Sequence, residues 1–586
     1  MKNSFGLLFR HLSALCLMVS LCALPAAGLC VTNERTPPAE PLPRVETGMH
    51  TGQIRHIAID NEERFIFSVA DDKTLRVWSL RSGKPVLTFR VPIGLTNEGA
   101  LYSLAFSPDG RTVAVSGQTG QEWEDNYCIY LIDVRSGVIR RRIINLPEAI
   151  THMAFSRNGS YLATVFANTA GLRVYGIPDG ALVYQGEPYN VPATWVDFAP
   201  DGKLVTSSYD GAVRLYDANF RLQVVKQLAR NAQPHGVAFS PDGSKVAVGF
   251  RDRPTVAVLS GTDLGLLYFP EVTGVAHNLW TVAWSADGRT LYAGGSHADK
   301  GRTLIRIWGL AGEPNHKGRG EYIDVATTHA PVMQILPLKD GGLVFAAADP
   351  TIGMLDHQGF PIFIKESTLL NFKGSAMDLR VSHRGDVVEF AADKSRQQFS
   401  VSQLLLNAGL TAQGLSAPRT QSTEIRIAGG GEAPVTFNGH PMELDRGEIL
   451  HALALDPKDR FFVLGTSRHL RFYAKSGHAQ WTVATQAPVW AVNVSGNSAW
   501  VVVALEDGTI RWYDVMRGEE KIALFVHKDL KHWAIWSSLR YFAYSEDAES
   551  LLGWHLNRGK SQLADFQPAN HFPHLLQPDF FKNFFQ

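Results

Sequence analysis

Cysteine and net charge are the two things that this chain of 586 residues has least of. Its four cysteines are Cys16, Cys22, Cys30 and Cys128, and none stands in a C-x-x-C pair or at a Cys/His metal spacing. A disulfide framework is therefore not expected, although a Cys30–Cys128 bond stays open. Lys plus Arg and Asp plus Glu both number 56, which excludes a broad electrostatic attraction for nucleic acid or anionic lipid.

The common catalytic motifs are missing as well. The sequence has no H-E-x-x-H, no G-x-S-x-G and no Walker-type loop. Paired acids such as Asp71-Asp72 stand at turn positions, where solvated carboxylates are ordinary. We therefore expect a non-enzymatic protein with no cofactor and no metal. An enzyme whose site is assembled from several distant segments remains an alternative, because such a site leaves no linear motif.

The start of the chain has the pattern of an export signal. Two basic residues precede an apolar run at 12–24, and small residues at 26–28 suit cleavage. The run is too short to span a bilayer, so residues 1–28 are predicted to be a cleaved signal peptide and the protein to be periplasmic or secreted. A buried N-terminal helix is the alternative. The proline-rich residues 29–44 are predicted to be an extended linker.

What the sequence has in abundance is a short unit rich in turns. Residues 191–217 are VPATWVDFAPDGKLVTSSYDGAVRLYD, which predicts three short strands separated by an Asp-Gly turn at Asp201 and another at Asp210. Counterparts of its first turn stand at Asp109, Asn158, Asp242 and Asp287. The last three gaps between these turns are 43, 41 and 45 residues, which suits four strands per unit.

Weaker copies begin near Ile54 and Val332 and bring the number of units to seven. A sheet this small cannot bury both faces alone, so the units must stack on one another. Seven wedge-shaped units close into a ring that leaves few open sheet edges.

The units resemble the repeats of the WD-repeat β-propeller family, and the first unit carries the resemblance best. His50, Ser68, Asp72 and Trp78 stand where the family has its histidine, hydroxyl, turn aspartate and tryptophan. The resemblance implies that these four side chains form a structural hydrogen-bonded network inside the blade. Most other units lack the full set, so packing is expected to replace the network there.

The implied fold class is all-β. A seven-bladed WD-repeat β-propeller is expected over residues 45–372. A second, degenerate propeller-like domain is expected over residues 373–586, ending in an aromatic tail whose final residues include four phenylalanines. How this second part divides into blades is left open.

Residues 436–579 also resemble the WD-repeat region that precedes caspase-like peptidase domains in bacterial multidomain proteins. The resemblance rests on the ordered motifs TFNGHPMEL, FFVLGTSRHLRFY, LLGWHLNRG and ADFQPANHF. The chain ends at Gln586, where the peptidase would start, and Cys128 lies in a strand context without a nucleophile loop. Peptidase chemistry is therefore expected to be absent.

One position recurs in every unit, four residues before the last apolar residue of the first strand. It holds Arg55, Tyr102, Thr151, Thr194, His235 and Trp280 in the first ring, and His451 and Trp490 in the second part. In a ring these positions converge on one mouth of the central channel. Arg55, Tyr102, His235 and Trp280 are predicted to bind a partner, because such side chains dominate binding hot spots. The alternative is that Trp280 and Trp490 pack between blades and that His235 fills a turn.

Three hypotheses for function follow. The first is an exported, non-enzymatic WD-repeat scaffold that binds a protein partner through the propeller face. The second is a stand-alone partner or regulator of a separate caspase-like peptidase. The third is a propeller enzyme, or a protein that binds a small molecule or glycan.

Overall fold

The computed structural model describes residues 35–229, 231–314, 321–392, 395–407, 414–431, 433–445 and 447–586. The predicted signal peptide and residues 29–34 of the predicted linker lie outside the described residues. Residues 36–586 form one compact unit. No helix in the described ranges is both long enough and apolar enough to cross a membrane.

The first half consists of seven groups of four antiparallel strands, of which the fifth and sixth are joined into one sheet by the pairing of Phe250 with Leu279. Their bounds, group by group, are β2 Ile54–Ile59, β3 Phe65–Ala70, β4 Thr74–Ser79 and β5 Pro85–Arg90; β6 Leu101–Phe106, β7 Thr112–Gly117, β8 Tyr127–Asp133 and β9 Val138–Leu146; β10 Ile150–Phe155, β11 Tyr161–Phe166, β12 Leu172–Gly176 and β13 Leu182–Gln185; β14 Ala193–Phe198, β15 Leu204–Ser208, β16 Ala212–Tyr216 and β17 Leu222–Gln227; β18 Pro234–Phe239, β19 Lys245–Phe250, β20 Val256–Ser260 and β21 Leu266–Tyr268; β22 Leu279–Trp284, β23 Leu291–Gly295, β25 Arg302–Trp308 and β26 Tyr322–Ala326, with the short β24 Ala298–Asp299 beside β25; and β27 Val332–Pro337, β28 Leu343–Ala347, β29 Ile352–Leu355 and β30 Pro361–Lys365. A four-residue helix, α1 (Gln121–Glu124), lies between β7 and β8, and a short 3-10 turn (Leu310–Gly312) follows β25.

These seven groups pack in a closed circuit. The first strand of each group contacts the first strand of the next, and β27 of the seventh group contacts β2 of the first. A separate apolar core fills each of the seven junctions, including the one between the seventh group and the first. The second and third strands are buried on both faces, whereas the fourth is largely exposed, as in β17. The four-stranded groups are consistent with propeller blades and are called blades one to seven below, in chain order.

The turns between first and second strands are built alike. Ser240 donates its hydroxyl to Asp242 (2.6 Å), and Ser285 donates to Asp287 (2.6 Å) in the same way. Gly243 follows at φ 73°, in the left-handed region that glycine adopts without strain. The local motif Ser-x-Asp-Gly therefore sets these turns before any contact between blades is made.

The second half contains further antiparallel sheets. Their strands are β31 Arg380–Val381, β32 Val387–Ala392, β33 Ser395–Ser400 and β34 Leu405–Leu406; β35 Ile427–Gly430, β36 Ala433–Phe437 and β37 His440–Pro441; β38 Leu450–Leu455, β39 Phe461–Thr466, β40 His469–Ala474 and β41 Ala479–Ala484; β42 Val489–Val494, β43 Trp500–Leu505, β44 Thr509–Asp514, β45 Glu520–Val526, β46 Trp533–Ser537 and β47 Phe542–Tyr544; and β48 Leu552–Leu556 with β49 Asp565–Pro568. Three 3-10 turns (Glu549–Leu551, Ala569–His571 and Pro573–Leu575) and α2 (Pro578–Lys582) lie near the end.

The sheets of the second half pack as a series around the six-stranded sheet β42–β47. One core joins that sheet to β38–β41, a second joins it to β31–β34, and a third joins it to β48. The aromatic tail packs back on this part. Phe581 is fully buried, and the rings of Phe584 and Phe585 lie 5.3 and 5.6 Å from Trp500. The all-β class is confirmed, and the second part is irregular.

The predicted linker differs from the structure at its end. β1 (Leu42–Val45) is a strand that pairs antiparallel with β48, so that Leu42 opposes His555 and Val45 opposes Leu552. Val45, which we predicted to open the first ring, therefore belongs to a sheet of the second half. The proline content suggested an extended chain correctly, but a partner some 500 residues away leaves no local signal.

Candidate functional site

Every residue of the predicted column lies at a β-bulge. The pairing of the first and second strands skips one residue in most of these groups, and it skips His235 and Gly236 in the fifth. The skipped residues include Arg55, Tyr102, Thr151, Thr194, His235, Trp280, His451 and Trp490. A bulge leaves its extra residue out of the ladder and re-aims the side chain. The column is therefore a recurring backbone feature as well as a sequence pattern.

The sequence analysis missed the seventh member, Met333, which is skipped between Val332 and Gln334. Counting four residues back from Leu338, the last apolar residue before that turn, gives Gln334, which is the residue after Met333. Counting from the last residue of the strand would have found Met333.

Arg55 and Tyr102 are neighbouring members of the column, on one side of the predicted mouth. The Arg55 guanidinium donates to both carboxylate oxygens of Asp71, at 2.8 and 2.7 Å, and lies 5.5 Å from the centre of the Tyr102 ring. Burial raises the pKa of Tyr102 to about 12, with a further rise from Asp71. Both residues are half-buried, so this side of the mouth is an ordered, charged surface that solvent still reaches.

The second half approaches the mouth at this same side. Glu506, just after β43, is within electrostatic reach of Arg55 and Asp71, and Arg468 is within reach of Tyr102. Burial raises the pKa of Glu506, and the nearby Asp71 carboxylate raises it further. Arg55 and Tyr102 thus share their surroundings with the chain's own second half.

Direct contacts between the halves also cluster at the first blade. Gln486 donates to the Leu95 carbonyl (3.2 Å), and Asn557 accepts from the Ile93 N–H (2.9 Å). The Ala564 N–H donates to the carbonyl of Arg90 (2.8 Å). The second half is therefore attached beside blade one, whereas His235 and Trp280 belong to blades five and six.

Below the mouth, side chains from three blades meet. His152 stacks on Trp195 with ring centres 3.9 Å apart, and His56 meets both rings edge-on at 5.0 and 5.2 Å. Burial lowers the pKa of His56 to about 4 and that of His152 well below its usual value. This cluster was not predicted from the sequence, although each of its three members is the next residue in the chain after a member of the column.

His235 and Trp280 are half-buried. The His235 ring lies 5.9 Å from Trp195 and 6.1 Å from Tyr209, and its Nδ1 has no hydrogen-bond partner among the described residues. Burial lowers the pKa of His235 to about 3. Neutral, aromatic and partly accessible, His235 and Trp280 fit the predicted contact surface.

Thr151 and Thr194 bind backbone instead. The Thr151 hydroxyl donates to the carbonyl of Ala193 (2.8 Å), and that of Thr194 donates to the carbonyl of His235 (3.0 Å). Each carbonyl lies in the next blade, so these hydroxyls join neighbouring blades. In the second half, His451 stacks flat on Trp490 with centres 4.0 Å apart.

The four network residues of the first blade are bonded to one another. His50 contacts Asp72 through Nδ1 (2.9 Å) and Ser68 through Nε2 (2.7 Å), and the indole N–H of Trp78 donates to Ser68 (2.7 Å). Burial alone would raise the pKa of Asp72, but His50 holds it below the usual range. All four side chains are buried or nearly so, which suits a structural role.

Other blades keep a hydrogen bond where the motif has decayed. The Trp308 indole donates to the Glu271 carbonyl (2.7 Å), that of Trp512 donates to the Gly385 carbonyl (2.8 Å), and Tyr216 bonds to Tyr189 (2.7 Å). Our expectation that packing alone replaces the network is therefore wrong for these blades, because backbone carbonyls and a second tyrosine supply the partners.

Cys128 is free and fully buried, and burial raises the pKa of its thiol to about 11. It is thus an apolar core residue between the first two blades rather than a nucleophile. Cys30, its possible disulfide partner, lies outside the described residues.

Three segments of the chain, residues 44–79, 183–217 and 476–514, match the family described as "WD domain, G-beta repeat". The first covers the network residues of blade one, and the third falls in the second half. These three segments of the chain are therefore similar to WD-type repeats, and the four-stranded antiparallel sheets are consistent with propeller blades.

The chain is similar over part of its length to several curated proteins. It is 24% identical over 296 residues to "Guanine nucleotide-binding protein subunit beta" of Nicotiana tabacum, covering 46% of this chain and 75% of the relative. It is 25% identical over 193 residues to "Telomerase protein component 1" of Rattus norvegicus, covering 33% and 7%. It is 27% identical over 135 residues to "Small ribosomal subunit protein RACK1" of Trypanosoma brucei brucei, covering 22% and 41%. Each name describes a component of a larger assembly.

Proposed function

We propose that the protein is a non-enzymatic scaffold that binds a protein partner at the channel mouth of its first ring. The observation that supports this proposal is the column of bulged, half-buried side chains, in which Arg55, Tyr102, His235 and Trp280 stand at equivalent positions of their strands. In a closed ring, such positions converge on one mouth of the channel. Residues of these types contribute most of the energy at protein interfaces. The relatives, each named as part of an assembly, support the same class of function.

The partner meets the mouth at blades five and six. The second half is attached beside blade one, where Glu506 is within reach of Arg55. Trp280 and His235 belong to the blades farther around the ring, so they are the first candidates for direct contact. Arg55 and Tyr102 lie at the edge of that surface and are expected to contribute less.

The test is cross-linking and capture from the cells that make the protein, followed by binding assays with the purified partner. Trp280→Ala and His235→Ala are compared with wild type, and Trp490→Ala is the matched control. Trp490 is also a bulged tryptophan, but it stacks on His451 in the second half. We expect Trp280→Ala to weaken binding at least tenfold, the usual effect of removing a hot-spot tryptophan, and Trp490→Ala to bind as wild type does.

Equal binding by wild type and by folded Trp280→Ala and His235→Ala would refute the mouth as the site. Failure of any protein to bind wild type at micromolar concentration would refute the scaffold itself. A small molecule or glycan bound at the mouth would then support the third hypothesis.

Export to the periplasm or the medium is part of the proposal and rests on the pattern at residues 1–28. Cell fractionation with N-terminal sequencing of the mature chain tests it. A chain that begins at Met1 in the cytosolic fraction would contradict it. Partnership with a separate caspase-like peptidase stays a prediction and is answered by identifying the captured protein.

A further inference from the structure

The turn between β45 and β46 brings together two histidines and an aspartate. His527 Nδ1 lies 3.0 Å from Asp529 Oδ2, and His532 Nδ1 lies 2.5 Å from the same oxygen. The three atoms all lie within 4.8 Å of one another. Two imidazole nitrogens and one carboxylate oxygen therefore converge on one point at the surface of the second half.

The backbone of the turn holds this arrangement. The other carboxylate oxygen, Asp529 Oδ1, accepts the N–H groups of Lys531 (2.9 Å) and His532 (3.0 Å). The N–H of His527 donates to the carbonyl of His532 (2.9 Å), which closes the turn and brings the two imidazoles to the same side. Leu530 adopts φ 57°, in the left-handed region, to make the reversal. One oxygen of Asp529 thus shapes the turn and the other remains for a ligand.

The donor set suits a borderline divalent cation. Zinc binds imidazole nitrogen and carboxylate oxygen at about 2.0–2.2 Å, and its tetrahedral ligands then lie about 3.3 Å apart. The two nitrogen–oxygen separations here are within reach of that value after small side-chain movements. A cation here would take the place of the present contacts of both Nδ1 atoms with Asp529 Oδ2, and of the Asp529 N–H that His527 Nδ1 accepts at 3.3 Å. Between 23% and 36% of each side chain is exposed, so a fourth position faces solvent.

A second cluster of similar composition already contains a positively charged side chain. Asp445, Glu448 and His469 also converge, but Arg471 lies among them, with Nη2 at 2.5 Å from Glu448 and 3.1 Å from Asp445. The guanidinium occupies the place of a cation there. At the β45–β46 turn, by contrast, the Nζ of Lys528 lies 3.8 Å from a carboxylate oxygen of Glu366 and pairs with that residue.

We propose that His527, Asp529 and His532 form a binding site for Zn²⁺, with a fourth coordination position open to water or to a side chain of a bound partner. No metal was expected from the sequence, because it has no C-x-x-C pair and no Cys/His metal spacing. Binding clamps the β45–β46 hairpin, since all three ligands lie between its strands.

The test is a calorimetric titration of the metal-free full chain with Zn²⁺ at pH 7.5. Wild type is compared with His532→Ala, with Asp529→Asn, and with the control His478→Ala, whose histidine is exposed on another hairpin turn. Asp529→Asn keeps an oxygen that can accept the turn N–H groups and loses the charge, so it tests the ligand without opening the turn. Circular dichroism checks that each variant is folded.

We expect wild type and His478→Ala to bind the same number of zinc equivalents. His532→Ala should bind one equivalent fewer, and Asp529→Asn should bind at that site at least tenfold more weakly. Zinc should also raise the melting temperature of wild type and not that of His532→Ala. Equal stoichiometry and affinity in wild type and both folded ligand variants would overturn the proposal, as would a wild type that binds no zinc.

Discussion

Single residues at the axis of the first ring give the protein an unusual group of neutral histidines. His56, His152 and His235 come from blades one, three and five, and burial is the largest cause of the lowered pKa of each. The one N–H of neutral His56 is on Nδ1, because Nδ1 donates to the Tyr102 carbonyl at 2.7 Å. Uncharged imidazoles of this kind pack on Trp195 as apolar rings do.

These histidines predict a loss of stability in mild acid. Their folded-state pKa values lie below the unfolded value of about 6.5, so below that pH the unfolded chain binds protons that the folded chain does not. The stability that comes from keeping these histidines neutral is fully present above pH 6.5, and it is lost as the pH falls toward about 4, the pKa of His56. Between pH 6.5 and 5 each histidine should cost about 2 kcal/mol. Burial raises the pKa of Glu98 to about 7, so the folded chain takes up a proton at Glu98 over the same pH interval. This uptake offsets the loss of stability from about one histidine.

The measurement is urea unfolding of wild type and His56→Asn at pH 7 and pH 5. Asparagine retains a donor near the position of Nδ1 and cannot be protonated. We expect the variant to lose less stability than wild type over this interval, while His478→Asn, at an exposed turn, behaves as wild type does. Identical losses in His56→Asn and wild type would contradict the prediction.

At the scale of elements, the sheet β1–β48–β49 joins distant parts of the chain. Gly553 in the middle of β48 opposes Arg44 of β1 and lies under the Phe566 ring of β49. The same ring lies 4.0 Å from the Arg90 guanidinium of blade one. Glycine permits this close approach because it has no Cβ.

Gly553→Ala is therefore expected to destabilise this sheet. The added Cβ would lie 2.1 Å from a Phe566 ring carbon, so the ring must shift from its present position beside Arg90. Overpacking of this kind costs about 1–3 kcal/mol. Gly309→Ala is the control, because its Cβ would meet nothing within 4 Å and its φ is −69°. Thermal melting compares the two, and equal melting temperatures would show that Phe566 moves freely.

At the scale of the whole molecule, the segment before blade one holds the two halves together. β1 completes a sheet of the second half, and the next residue, Glu46, accepts from Arg76 at 2.9 and 3.0 Å and also pairs with Arg90. Both arginines belong to blade one and are buried. A few consecutive residues thus serve both halves.

Removing this segment should affect the far end of the chain. A protein that lacks residues 1–46 is expected to melt at a lower temperature than one that lacks residues 1–34, and proteases should cleave within 552–568 earlier. The reason is that β48 loses its antiparallel partner while Arg76 and Arg90 lose their carboxylate, and breaking a buried ion pair costs about 3–5 kcal/mol. Equal melting and cleavage rates in the two proteins would refute this role.

Much of the fold could be predicted from short segments. Ser-x-Asp-Gly turns are made by neighbouring residues, so Asp242 and Asp287 marked the start of second strands correctly. Counting from such turns also found the bulged column, since strand length and turn position are local properties. Met333 was missed because the seventh unit begins its turn one residue later.

The sequence by itself determined the strands, the turns, the repeat and the types of side chain at the mouth, because each depends on residues close together in the chain. Only the tertiary structure decided that β1 pairs with β48, that Glu506 lies within reach of Arg55, and that His56, His152 and Trp195 meet at the axis. It also decided that His527 and His532 share one oxygen of Asp529. These are contacts between side chains or strands whose positions depend on how the chain packs, and no local pattern encodes that packing.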